Sequence, residues 1–195
     1  YFAAAMLMLF FTGMKDDLVG LSPFMKLAVE VAVGLMLIFG SGIYITNFYG
    51  VLGIGEIPFA VSVVITLFTM IVVVNAYNLI DGVDGLAGGI GVIASLFFGI
   101  GFFVAGDYAM AMLSAVVMAA LAGYLLHNFY PASIFMGDTG SLIIGFLLAV
   151  QAIQFVGLNE SVAFTTAFGP ISSVMPVAIL MIPLYDTLRV FILRA

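Results

Sequence analysis

The sequence predicts an all-α, polytopic integral membrane protein of about seven transmembrane helices with one small extracytoplasmic hairpin. Three observations carry that prediction. Hydrophobic residues fill 65% of the 195 positions and charged residues only 7%, too few to cover a soluble fold of this size. Mean hydropathy is +1.36, and apolar runs of about the length that crosses a bilayer core recur along the chain. The acids stand at the ends of those runs, where a charge near a bilayer marks a functional site by default.

The elements follow in order. Tyr1 to Gly13 is an apolar run too short to span by itself, and Lys15-Asp16-Asp17 follows it. Leu27 to Thr46 forms the second segment, with Lys26 at its start and Glu30 one turn further on. NFYGVLGIGE, Asn47 to Glu56, carries three glycines between short apolar pieces and suits a hairpin outside the membrane. Ile57 to Val74 is the third segment, and Asn75 to Gly89 reads as a polar, glycine-rich loop after it. Leu86 to Ala105 and Tyr108 to Leu126 are the fourth and fifth, divided at Gly106-Asp107. After the loop PASIFMGDTGS, Pro131 to Ser141, come Ser141 to Val156 and Ala167 to Leu184. Residues 1–195 read as a single transmembrane domain truncated at both ends, with no repeat and no signal-peptide pattern. The absence of cysteine leaves the redox compartment open, and the lack of any basic patch argues against nucleic acid as a partner.

Counting crossings puts Asp16-Asp17, Asn75 to Gly85, His127 to Gly140 and Tyr185 on one face. That face also holds Lys15, Lys26, Arg189 and Arg194, whereas the opposite loops hold Glu56, Asp107 and Glu160 without a cation. By the positive-inside rule the shared face is cytoplasmic.

The motifs there carry the chemistry. Asn75, Asn78, Asp81 and Asp84 recur every three residues, which on a helical turn puts neighbours on nearly one face. A polar floor with a glycine-rich rim suits phosphate and a divalent cation; the ordinary alternative is a loop in which Asp84 caps the next helix. Asp138 lies between Gly137 and Thr139-Gly140-Ser141 just before an apolar helix, so its oxygens can bind Mg²⁺ while exposed N–H groups favour phosphate. Capping alone is the competing reading. The likeness of Asp-Thr-Gly-Ser to soluble aspartic proteases is set aside, because those folds are β-rich. Asp16 and Asp17 repel each other, which suits proton transfer or cation sharing, or they form a plain solvated turn. Lys26 can meet a lipid phosphate or serve as a membrane anchor. An ion pair with Lys26 is the simplest role for Glu30, an Asp186 to Arg189 pair the simplest for Asp186, and a structural role for His127.

Taken in order, Lys15-Asp16-Asp17, Asn75-Ala-Tyr-Asn78-Leu-Ile-Asp81-Gly-Val-Asp84-Gly-Leu-Ala, Phe135-Met-Gly-Asp138-Thr-Gly-Ser141 and Pro183-Leu-Tyr-Asp186-Thr resemble the polyprenyl-phosphate N-acetylhexosamine-1-phosphate transferases. Pro-Leu-Tyr-Asp-Thr and Asn128-Phe-Tyr-Pro131 look more like the undecaprenyl-phosphate GlcNAc-1-phosphate branch than the phospho-MurNAc-pentapeptide branch. The resemblance implies Mg²⁺-dependent transfer of a sugar 1-phosphate from a UDP-N-acetylhexosamine to a membrane polyprenyl phosphate, with release of UMP. Mn²⁺ is a conceivable substitute and a homodimer a compatible assembly. The implied setting is the bacterial inner membrane, with the site on the cytoplasmic face, at the step that starts a cell-envelope polysaccharide. The resemblance assigns Asp138 to the metal, Asn78 and Asp81 to the pyrophosphate and metal region, and Asp84 to the nucleotide side. Asp16, with Asp17 beside it, matches the residue that deprotonates or positions the lipid phosphate, and Lys26 matches a basic residue of that region. Two departures stand out: the family's histidine-rich motif lies beyond Ala195, and Glu30 stands where relatives commonly have Gln. A secondary transporter is the rival class, but transporters hold their acids near the bilayer midplane rather than at one surface. Intramembrane aspartyl proteolysis is a third reading.

Overall fold

The computed structural model describes residues 1–194, without the side chains of Phe191 and Arg194, so the Arg194 cation lies outside the described residues. The chain folds into helices α1 (Phe2–Val19), α2 (Pro23–Leu35), α3 (Phe59–Ile80), α4 (Leu86–Ala105), α5 (Tyr108–Asn128), α6 (Gly137–Val156), α7 (Val162–Phe168), α8 (Met175–Ile179) and α9 (Met181–Arg194). Among the described residues, five helical spans are long and apolar enough to cross a membrane: Pro23–Gly40, α3, α4, α5 and Gly137–Glu160. It is a multi-pass, all-α membrane protein.

Three of the seven expected segments differ most. The first continues beyond Gly13 to Val19, which puts Lys15, Asp16 and Asp17 on the closing turns of a helix and not in a loop. The seventh is broken into α7, α8 and α9, because Gly169-Pro170 and Pro176 interrupt the backbone ladder where one helix was expected. The second segment also ends early. A π-helical turn over Met36–Gly40 runs into Ser41-Gly42, and the chain is extended by Ile45. Such irregular backbone at the membrane needs internal partners. Thr66 Oγ1 accepts from the Ile45 N–H at 3.0 Å, and Ser62 Oγ donates to the Ile45 carbonyl.

The expected hairpin is present, with Asn47 and Glu56 forming an antiparallel bridge and Gly50 N–H donating to Ile54 at 2.8 Å. Tyr49 Oη donates to Glu160 at 2.8 Å, fastening the hairpin to the α6–α7 connection. Glu56, Asp107 at the start of α5, and Glu160 therefore share the end of the bundle away from Asp138.

α6 is the hub, buried almost continuously from Gly145 to Val156 and packed against α1, α3 and α4. Gln151, fully buried on this helix, is satisfied: Oε1 accepts from Ser114 Oγ at 2.7 Å and Nε2 donates to the Leu147 carbonyl at 3.2 Å. Phe155 seats against Phe98, Phe102 and Phe164 with ring centroids 5.4 to 5.5 Å apart. At the other end of α6, α1 approaches backbone to backbone. A Cβ on Gly13 would lie 2.5 Å from Thr139 Cα and 2.7 Å from the Asp138 carbonyl oxygen. Neither atom can swing aside. Gly13→Ala is expected to lower stability by about 1–3 kcal/mol through overpacking and to displace the Asp138 segment. Thermal unfolding of purified protein checks this.

Candidate functional site

The polar site forms where α1 and α3 end and α2 and α6 begin. Ser22 caps α2, accepting from Met25 N–H at 3.3 Å with Pro23 at the first helical position, so the helix starts early enough to include Lys26. Lys26 Nζ forms an ion pair with Asp16 and lies 3.4 Å from Asp138 Oδ1. From α3, Asn78 Nδ2 donates to Asp138 Oδ1 and also lies 2.7 Å from Ser141 Oγ.

Asp17 does a different job. Its carboxylate accepts from the N–H groups of Asp138 (2.8 Å) and Thr139 (3.0 Å) and from Thr139 Oγ1 (2.5 Å). The first turn of α6 has no side-chain cap from its own preceding residue, so the acid that satisfies its orphan donors comes from α1. Gly137, at φ +64°, makes the turn; a Cβ there would meet the Asp17 carboxylate at 3.0 Å.

The adjacent acids differ electrostatically from Asp81. Burial pushes Asp17 upward, but the Thr139 hydroxyl and the two N–H donors outweigh it and hold its pKa below the ordinary carboxylate value. Asp16 behaves alike: desolvation raises it, while Lys26, Asp138 and the Leu21 N–H, 2.5 Å away, bring it below the ordinary value. Asp81, at the C-cap of α3, is pushed up to about 6 by burial, with the charges of Asp138 and Asp17 adding to the shift and the Gly137 N–H opposing it. A carboxylate raised in the fold is destabilising once ionised, so the protein without a cation carries a penalty that grows as pH rises through about 6. Asp81→Asn is therefore expected to raise the melting temperature of metal-free protein at pH 7.5. The gain is about 1 kcal/mol after allowing for solvent screening of this half-exposed group. A drop in melting temperature would contradict this electrostatic account.

Several expectations change at this level. Asn75 and Asn78 lie on the last turns of α3 rather than in a loop, and Leu86 to Gly89 already belong to α4; the loop proper is Asp81 to Gly85. Asp84 does not cap α4, whose N-cap is Gly85 at φ +73°. It accepts instead from Ala132 N–H at 3.2 Å, and Asn128 adds a second tie across the same loops, accepting from Gly85 N–H at 2.9 Å and donating to the Ile134 carbonyl at 2.8 Å. Glu30 is not paired with Lys26, which has turned to Asp16 and Asp138; Asn75 Nδ2 donates to Glu30 Oε2 at 2.6 Å. Asp186 lies 3.7 Å from Arg189, the simple helical pair its spacing suggested. His127 offers its backbone carbonyl to the Ser133 N–H and hydroxyl. Sequence reasoning missed the linking roles of Gly13, Asn128 and Ser141. Only the Asn next to His127 and the serine closing Gly-Asp-Thr-Gly-Ser hinted at them.

Fold and site together define a multi-pass membrane protein with a carboxylate, amide and lysine cluster at one end of a helical bundle. The chain belongs to glycosyl transferase family 4, whose family model matches residues 1–156. It is 34% identical over 190 residues to a probable undecaprenyl-phosphate N-acetylglucosaminyl 1-phosphate transferase of Bacillus subtilis, covering 93% of this chain and 49% of that protein. It is also 34% identical over 207 residues to the decaprenyl-phosphate N-acetylglucosaminephosphotransferase of Mycobacterium tuberculosis, covering 93% of this chain and 48% of the relative. A phospho-N-acetylmuramoyl-pentapeptide-transferase of Streptococcus thermophilus is 39% identical over 141 residues, 69% of this chain and 40% of that one. The chain thus spans about half the length of the first two relatives.

Proposed function

We propose that the protein transfers N-acetylglucosamine 1-phosphate from UDP-N-acetylglucosamine to undecaprenyl phosphate, releasing UMP. The reaction runs with Mg²⁺ at the cytoplasmic face of a bacterial inner membrane. The observation that supports this most directly is the convergence of Asp16, Lys26, Asn78 and Asp138 at one end of the bundle. Phosphoryl transfer chiefly needs positioning and neutralisation of charge, and that set of groups provides both.

The donors suit magnesium. Asp138 and Asp81 offer hard carboxylate oxygens; burial chiefly raises Asp81, the charges of Asp138 and Asp17 add to it, and a cation offsets both effects. Among the described residues no three acidic or histidine side chains make a complete metal cage. Mg²⁺ fits that shortage, because it commonly takes one or two carboxylates and completes its shell with water and substrate phosphates. Asp138 would hold the ion, with Asp81 lining the site, and the ion would supply charge neutralisation on the phosphate oxygens.

The chain's own groups divide the remaining work. Lys26, held by Asp16, presents a cation to the lipid phosphate where the bundle meets the interface. A phosphate monoester has a second pKa of about 6, so it is largely ionised at neutral pH and proton removal is the lesser demand. Asp17, with both oxygens engaged by α6 donors, holds the Asp138 turn in place rather than moving a proton. Asp81 retains acceptor capacity that Asp16 and Asp17 have committed internally, and any residual proton passes to it. Asp84, fixed by Ala132 N–H, stands on the nucleotide side, and Asn78 orients the Asp138 carboxylate.

The GlcNAc reading is favoured over the MurNAc-pentapeptide one because the GlcNAc-transferring relatives match 93% of the chain, against 69% for the Streptococcus protein. The test is UMP release by the full-length protein in lipid nanodiscs with undecaprenyl phosphate, Mg²⁺ and either UDP-GlcNAc or UDP-MurNAc-pentapeptide. Release with the first donor is expected. Release with only the second moves the assignment to the other branch, and release with neither ends it.

A further inference from the structure

Glu30 is 2% exposed, deep among apolar helices, and one of its oxygens, Oε1, has no partner. Its other oxygen accepts from Asn75 Nδ2 at 2.6 Å, and the same amide donates to the Ile71 carbonyl at 2.9 Å. A buried acid at membrane depth is costly, and a half-satisfied one more so, which calls for a reason beyond packing.

The place of the pair supplies that reason. Glu30 lies one helical turn beyond Lys26 on α2, and Asn75 one turn before Asn78 on α3. Lys26 and Asn78 are the two residues that approach the same oxygen of Asp138 from those two helices. Directly beneath that convergence, α2 and α3 are tied by the Glu30–Asn75 hydrogen bond. Apolar side chains in lipid give helices little preference for one axial register over another, because lipid tails are as apolar as leucine. A directional bond one turn below the site removes that freedom.

We propose that Glu30 and Asn75 are a positioning pair that sets the register of α2 against α3 and thereby aims Lys26 and Asn78 at Asp138. Neither residue touches substrate. The proposal rests on the reading above that Lys26 engages the lipid phosphate, so its test needs one arm that does not depend on turnover.

In full-length protein in nanodiscs, Glu30→Ala is expected to raise KM for undecaprenyl phosphate roughly tenfold while leaving KM for UDP-GlcNAc within about twofold, as a misaimed anchor would. Glu30→Gln keeps an oxygen that can accept from Asn75 and is expected to stay near wild type. A double Glu30→Ala, Asn75→Ala variant should be no worse than Glu30→Ala alone. The arm independent of turnover is acylation of Lys26 by an amine-reactive ester, read by peptide mass spectrometry, which should quicken several-fold in Glu30→Ala and not in Glu30→Gln. Should Glu30→Ala not fold, Asn75→Ser carries the same comparisons. Unchanged Lys26 labelling, equal damage by Gln and Ala, or additive effects in the double variant would each overturn the pair. Wild-type protein that releases no UMP with either donor ends the functional reading instead, and the labelling arm still decides the pair.

Discussion

Under the proposed transfer reaction, Asp138→Ala in the full-length protein is expected to lower UMP release by about a thousandfold or more, equivalent to about 4 kcal/mol of lost transition-state stabilisation. The fold is expected to survive. Lys26 keeps its ion pair with Asp16, and Asn78 keeps Ser141 at 2.7 Å, so neither is left orphaned when the carboxylate goes. Asp138→Asn preserves the shape of the side chain but not its charge, and it is expected to fall nearly as far, because a neutral amide is a poor Mg²⁺ ligand. The check is UMP release at saturating donor, alongside thermal unfolding and size-exclusion profiles. A variant retaining a large part of wild-type turnover would falsify the placing of the metal at Asp138.

Asp17→Ala acts through a neighbouring helix. It strips the acceptor from two backbone N–H groups and one hydroxyl at the start of α6. Loss of such a cap costs about 1–2 kcal/mol, and the turn bearing Asp138 is then free to shift. A displacement of this kind can lower turnover about a hundredfold, so activity and stability should fall together. Asp17→Asn retains one acceptor oxygen and should lie between. The sign of the pH effect follows from the depressed pKa: the cap contributes above the ordinary carboxylate value, and its contribution is lost as pH falls through the lower value in the fold. Melting curves taken from neutral to acid pH should therefore converge for wild type and Asp17→Ala. Curves that stay parallel would show that the carboxylate charge has no part in holding α6.

Much of this architecture was legible because a bilayer is a simple solvent. Hydropathy located α4 at Leu86–Ala105, since Gly85 and Gly106 bracket an apolar run, although the motif reading also counted its first turn, to Gly89, as loop. The hairpin was legible too, because glycine spacing is a local property of the chain. Helix ends were harder. Polar residues such as Asn75 and Asn78 look like loop to a hydropathy reading, yet they continue α3 because their side chains find partners on α2 and α6. The seventh segment failed for the opposite reason: its composition suits a span, but Gly169-Pro170 and Pro176 break the ladder that a span requires.

The sequence by itself determined that this chain is a membrane bundle whose acids meet at one end, since span count and alternation alone force Asp16, Asp17, Asp81 and Asp138 to a common side. It could not say which acid does what, because pairing among groups brought together by four helices depends on distances of a few ångströms that no spacing rule encodes. Tertiary structure alone decided that Lys26 pairs with Asp16 rather than Glu30 and that Asp17 caps α6. The close approach of Gly13 to the Asp138 turn also emerged only there. The physical reason is that each carboxylate takes its character from the donors and charges packed around it, and these come from elsewhere in the chain.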